Sequence, residues 1–222
     1  MINYKFEDVP NTEKDIKLMT DNLAWELAAN EKLVEITKSA DPNDWRVLNS
    51  GISSPFYFEM RNLQSFPRLR ATSSYLIQHM IVQSGTQFDH VVPVLMGGGA
   101  LGYDVSNYLD KSVLTLRPGG NKAHGNKSDI VGAFKIGDKA IIIEDVTTSG
   151  DSILKACDQL RKKGLIVRDV FVLVNRGGQS IFKELARQGL TLYRVLDQQD
   201  ILDKIPKNHP GHKIVMKYVK TK

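Results

Sequence analysis

Between residues 67 and 196 the chain alternates short apolar runs with amphipathic stretches. The runs 88–95, 112–116, 139–144, 167–175 and 191–196 have the length and β-branched content of buried strands. Helical spacing joins them over 67–84, 100–109, 152–163 and 180–188. Pro67 suits a first helical turn, and Gly164 suits the position just past a helix end. This alternation predicts an α/β fold, a mostly parallel sheet flanked by helices on both faces. The front of the chain reads differently. Ile16, Leu18, Met19, Leu23, Trp25, Leu27, Leu33, Val34 and Ile36 are spaced for one or two amphipathic helices over 13–39. Asp41-Pro42-Asn43-Asp44 breaks them, and 45–48 and 56–60 are short strand candidates.

Parallel sheets of this kind gather ligands at the carboxyl ends of their strands. Residues 96–99, 144–152 and 176–178 are therefore candidate site walls. The segment 144–152 reads Glu-Asp-Val-Thr-Thr-Ser-Gly-Asp-Ser, two adjacent acids where a strand is expected to end, then a hydroxyl-rich turn into a helix. Backbone N–H groups, hydroxyls and a helix N-terminus suit a phosphate. The acids repel phosphate but suit sugar hydroxyls or a divalent cation. A phosphorylated sugar satisfies both. The turn is neither a Walker loop nor a dinucleotide fingerprint, since both spacings are absent. The bland alternative is a capped helix after a buried strand, with Glu144 and Asp145 merely solvated. The polar, glycine-rich stretch 117–129 carries Arg117, Lys122, His124 and Lys127, which suits an anion-seeking lid; the alternative is a surface connection.

Size and charge narrow the classes. A chain of 222 residues suffices for one α/β domain, divided here into N-terminal elements (1–66), an α/β core (67–196) and a basic tail (197–222). The net charge of +5, from 30 basic and 25 acidic residues, fits a small anionic ligand. No nucleic-acid motif accompanies it, so a nucleic-acid partner is not expected. The single cysteine, Cys157, shares a helix face with Ile153, Leu154 and Leu160 and reads as buried rather than catalytic. No apolar run approaches the ~20 residues of a membrane span. A soluble protein of a reducing, cytoplasmic compartment is the expectation.

Residues Glu144 to Ser152 resemble the phosphoribosyl-pyrophosphate (PRPP) signature of type I phosphoribosyltransferases, with Thr147 standing where an apolar residue is usual. The resemblance extends over about 45–196 and points to the orotate phosphoribosyltransferase branch, including the corresponding domain of UMP synthase. Asn49-Ser-Gly-Ile-Ser-Ser-Pro-Phe-Tyr-Phe58 resembles the segment beside the base. Lys122-Ala-His124-Gly is similar to the catalytic loop, and Val174-Asn-Arg176 to the strand end whose arginine meets the orotate carboxylate. The resemblance implies the family fold, with an N-terminal hood and a mobile catalytic loop. It implies transfer of phosphoribosyl from PRPP to orotate, with Mg²⁺ held through PRPP and waters. It also implies a homodimer whose lids reach across to the neighbouring site. By it, Lys122, His124, Arg117 and Asp145 are catalytic; Glu144, Asp145, Thr147, Thr148, Ser149, Gly150, Asp151, Ser152, Arg176, Phe58 and Asn49 bind substrate. Asn49 and Met96 stand where lysines occur in relatives, and the lid opens Arg117-Pro118 with one extra residue before Lys122. Transfer to another base, or PRPP sensing with little catalysis, are the competing readings.

Overall fold

The protein was examined as a computed structural model, which describes residues 12–48, 51–117 and 129–221. It opens with helix α1 (Glu13–Ala28), capped by Thr12, whose hydroxyl accepts from the Asp15 N–H. Four short strands follow: β1 (Val34–Ile36), β2 (Arg46–Val47), β3 (Ser53–Ser54) and β4 (Phe56–Phe58). β1 pairs antiparallel with β4, and β2 with β3, forming a small hood. The helical spacing expected over 13–39 therefore ends at Ala28. Val34 and Ile36 face Phe58 and Phe56 across a ladder instead, and three residues are too few for periodicity to separate strand from helix. Residues beyond Phe58 leave the expected 56–60 strand and wind into a 3₁₀ turn, Met60–Ser65.

The core then follows the predicted order. It comprises α2 (Pro67–Ser84), β5 (His90–Pro93), α3 (Gly98–Leu109), β6 (Ser112–Val113), β7 (Thr115–Leu116), β8 (Ile130–Val131) and β9 (Lys139–Thr147). Then come α4 (Asp151–Lys162), β10 (Ile166–Asn175), α5 (Gly178–Arg187) and β11 (Thr191–Asp197). The five-stranded sheet is parallel throughout, ordered β11-β10-β9-β5-β6. Strand alternation sends Ile141, Ile143, Phe171 and Leu173 into one core, beneath α1, α2 and α3. Ala140, Ile142, Val170 and Val172 go into the other, against α4 and α5. Cys157 is buried there, as its helix position predicts. β7 and β8 form an antiparallel ribbon at the neck of residues 118–128. The basic tail folds into α6 (Gln198–Leu202) and α7 (His212–Lys220), which bury Ile201, Leu202, Ile205 and Val215 against the α1 side. Among the described residues no helix is long and apolar enough to cross a membrane.

At the amino ends of the strands, buried His90 bridges two elements. Its Nε2 lies 2.9 Å from Asp138 Oδ2 and its Nδ1 2.5 Å from Ser112 Oγ. A carboxylate can only accept, so Nε2 carries the proton toward Asp138, while Ser112 Oγ, paired with Nδ1, also donates to the Asp89 carbonyl at 3.4 Å. Asp138 also accepts from the Lys135 N–H at 2.7 Å. These bonds, that from His90 first, hold its carboxyl below the ordinary aspartate value of 3.8. A lowered folded-state value means a contribution that is complete above 3.8 and lost as pH falls through that lower value. Asp138→Asn should therefore lower the Tm at pH 5–8, with the gap to wild type closing in acid below the ordinary aspartate value; thermal melts across pH check this.

Candidate active site

Three loops meet at the carboxyl edge of the sheet. β10 supplies a long ladder, and β9 stays paired to its end, with Glu144 opposite Val172, Val146 opposite Val174 and Thr147 opposite Asn175. The strand therefore runs to Thr147, three residues past the expected end, and Glu144 and Asp145 lie within it. Alternation turns their side chains to opposite faces. Glu144 points toward α4, where its Oε1 accepts from Ser152 Oγ at 2.5 Å. Its Oε2 is buried with no hydrogen-bond partner, and so is Thr147 Oγ1. Burial pushes the Glu144 carboxyl up to about 8, with the Ser152 bond opposing.

Asp145 faces the loop after β5. A Cβ on Gly97 would lie 1.9 Å from Asp145 Oδ2, so only glycine fits there. Burial raises this carboxyl too, against the pull of backbone N–H groups and Arg61. Gly97 also leads into α3, so a second helix N-terminus stands beside the α4 one. After β9, Gly150 caps α4 with φ +83°, and Ser149 Oγ donates to Asp151 Oδ2 at 2.8 Å, which holds the turn. Thr148 and Ser149 are exposed. The Thr148 carbonyl lies so close to Gly177 that a Cβ there would come within 2.1 Å of it.

Arg176 stands at the end of β10, its backbone N–H donating to the Thr147 carbonyl at 2.8 Å. Its guanidinium lies 5.3 Å from the Phe58 ring and 5.7 Å from the Phe56 ring. Its Nε is buried without a hydrogen-bond partner, and no carboxylate pairs with it among the described residues. Desolvation pulls the guanidinium below its ordinary value, which marks a cation held partly out of water without a counter-ion. The preceding Asn175 fixes this strand end, its Nδ2 donating to Asp197 Oδ1 at 2.7 Å and its Oδ1 accepting from the Gly177 N–H at 3.0 Å.

The structure thus brings Glu144 to Ser152, Arg176 and Phe58 together. Arg117 sits apart, exposed at the ribbon's neck, with its N–H donating to the Asp129 carbonyl at 2.9 Å. Asn49, Lys122 and His124 lie outside the described residues. Sequence reasoning missed Arg61. Its guanidinium meets Glu59 two-pronged, at 2.6 and 2.8 Å, and its field also reaches Asp145. The one available signal was a basic residue soon after the aromatic segment. Among the described residues no cluster of three metal-ligating side chains occurs. The adjacent carboxyls, one with an unpartnered oxygen, suit a cation brought in by a ligand and its waters rather than a protein cage.

No protein-family model matches the chain. Curated relatives do. An orotate phosphoribosyltransferase of Caenorhabditis elegans is 33% identical over 156 residues, covering 70% of this chain and 68% of the relative. One from Pyrococcus furiosus is 30% identical over 147 residues, covering 66% and 80%. Among solved structures, orotate phosphoribosyltransferase from Aeropyrum pernix superposes with a TM-score of 0.69 at 28% identity, over 82% of this chain and 97% of that one. The UMP synthase of Leishmania donovani shares the fold at a TM-score of 0.74 and 22% identity; this chain spans 91% of itself but 42% of that longer protein.

The raised Glu144 value sets a pH dependence. The folded state holds this proton more tightly than the unfolded chain, whose ordinary value is 4.5. The contribution is therefore complete below 4.5 and is lost as pH rises through about 8. Glu144→Gln keeps a neutral group at every pH. It should match wild-type stability near pH 4.5 and exceed it at pH 9 by an amount on the order of a few kcal/mol. Urea unfolding at both pH values tests this, and a pH-independent difference would contradict the assignment.

Proposed function

The chain belongs to the orotate phosphoribosyltransferase family, and on that premise we propose that it transfers the 5-phosphoribosyl group from PRPP to orotate. The observation that carries this reading is the pairing of two unmet demands at one sheet edge. Among the described residues, buried Glu144 Oε2 and Thr147 Oγ1 lack partners, and the neighbouring Arg176 guanidinium lacks a carboxylate. A phosphoribosyl group answers the first demand, and a carboxylated base the second.

In this reaction the anomeric C–O bond to pyrophosphate breaks and a bond to N1 of orotate forms. The products are orotidine 5′-monophosphate and pyrophosphate, and the N1 proton is released. Glu144 and Asp145 accept hydrogen bonds from the ribose hydroxyls. Thr147, Thr148, Ser149, Gly150, Asp151 and Ser152 cradle the 5′-phosphate at the N-terminus of α4. Arg176 pairs with the orotate carboxylate while Phe58, with Asn49 in the same segment, lies beside the base. Lys122, His124 and Arg117 supply cationic and hydrogen-bonding groups to the departing pyrophosphate and close the site against water. Mg²⁺, held through PRPP and waters, would supply charge neutralisation for the pyrophosphate, and Glu144 and Asp145 are the carboxyl groups that would favour it at this edge. We place the enzyme in the cytoplasm, as a homodimer in which each chain lends its lid to the other's site.

The direct test is PRPP-dependent consumption of orotate with formation of the nucleotide, with and without a Mg²⁺ chelator. Absence of turnover with orotate overturns the reading. Asp145→Asn should lower kcat/KM for PRPP by about 10²-fold while leaving the circular-dichroism spectrum unchanged and without lowering the Tm. Lys122→Ala should lower kcat more than PRPP binding, because a lid acts in the transition state. Mixing the two inactive variants should restore activity if lids are exchanged, since one hybrid site then holds both intact residues. No recovery after subunit exchange would argue that each lid serves its own chain.

A further inference from the structure

The C-terminal helix α7 is joined to the hood that carries the acceptor side of the site. Its cap, Gly211, packs on the end of β1 so closely that a Cβ would come within 2.1 Å of the Thr37 carbonyl. One turn on, Val215 is fully buried. Tyr218 then enters the hood itself. Its ring stands edge-on to Phe56 at 6.1 Å and to Trp45 at 5.5 Å. Its hydroxyl donates to the Ser53 carbonyl at 3.3 Å. Ser53 begins the strand pair that leads into Phe56 and Phe58, and these rings flank the Arg176 guanidinium. Phe56 thus contacts both the Tyr218 ring and the Arg176 guanidinium.

We propose that Tyr218 is a positioning residue for the acceptor base, holding Phe56 and the 53–58 segment so that Arg176 and Phe58 present a fixed slot to the pyrimidine. The inference rests on the orotate reading above. Its physical basis is geometric. The guanidinium keeps its place over two rings only if those rings are braced, and edge-to-face aromatic contacts have a preferred geometry that a smaller side chain cannot supply. The opposite end of the site, with Glu144, Asp145 and the 144–152 turn, is braced by β9, β10 and α4 and does not depend on α7.

Steady-state kinetics with each substrate varied in turn tests this. Tyr218→Ala should raise KM for orotate roughly tenfold, the equivalent of two lost aromatic contacts, and leave KM for PRPP unchanged. Tyr218→Phe keeps both ring contacts and should recover most of the orotate affinity. Tyr218→Leu, which fills the space without a ring edge, serves if the alanine variant does not fold; it should also weaken orotate alone. If α7 only stabilises the fold, the variants will melt earlier with both KM values unchanged, and the proposal is wrong. A wild-type chain that does not turn over orotate overturns the functional reading and this proposal together. Wild-type turnover with an unaltered orotate KM in Tyr218→Ala and Tyr218→Leu overturns this proposal alone.

Discussion

The ladder between β9 and β10 is the constraint from which the site follows. Past an irregularity between Val167 and Val170, the two strands keep one register from Ile142 and Val170 to Thr147 and Asn175, so the turn after one and the arginine after the other emerge side by side. The bond from the Arg176 N–H to the Thr147 carbonyl is the last rung of that ladder. Backbone pairing thus sets the separation between the 147–152 turn and Arg176 before any side chain is considered. The two apolar cores on either face hold the ladder flat enough for this to persist, with Ile142, Ile143, Phe171 and Val172 fully excluded from water.

The polar groups of the site are poorly satisfied in the free protein. Among the described residues, a glutamate that burial pushes to about 8, a half-buried arginine without a counter-ion and a buried threonine hydroxyl without a partner all remain at one edge. Each costs folding free energy, since desolvated polar groups without partners are destabilising. Desolvated, unpartnered polar groups gathered at one strand edge are the pattern expected of preorganised functional groups rather than of structural ion pairs.

Much of this could be read from residues alone. The strand–helix alternation from 67 to 196 gave the parallel sheet because apolar periodicity changes sharply between its two kinds of element. The 144–152 segment gave a phosphorylated sugar because its acids and hydroxyls suit one ligand at two ends, and its resemblance to a family signature narrowed that to PRPP. Three things were hidden. The short strand β1 was absorbed into a helical pattern, since partner strand β4 lies some twenty residues away and decides the matter. The true end of β9 was hidden because only its partner's length determines how far pairing continues. Arg61 and Tyr218 carry no motif, and their proximity to the site arises from the hood folding over the sheet. Tyr218 lies 165 residues from the serine it bonds, a separation that no local pattern encodes.

The contact between Gly97 and Asp145 bears on how such a protein can diverge. A side chain at position 97 would collide with the Asp145 carboxylate, so Gly97 cannot change unless Asp145 moves or changes with it, and drift at position 97 requires paired substitutions. The hood has its own tight contact, where a Cβ on Gly211 would come within 2.1 Å of the Thr37 carbonyl, yet Phe56 and Phe58, tilted neighbours at 5.6 Å, can change in size without that collision. Divergence in such a protein would therefore run more readily through the hood rings than through the Gly97–Asp145 contact.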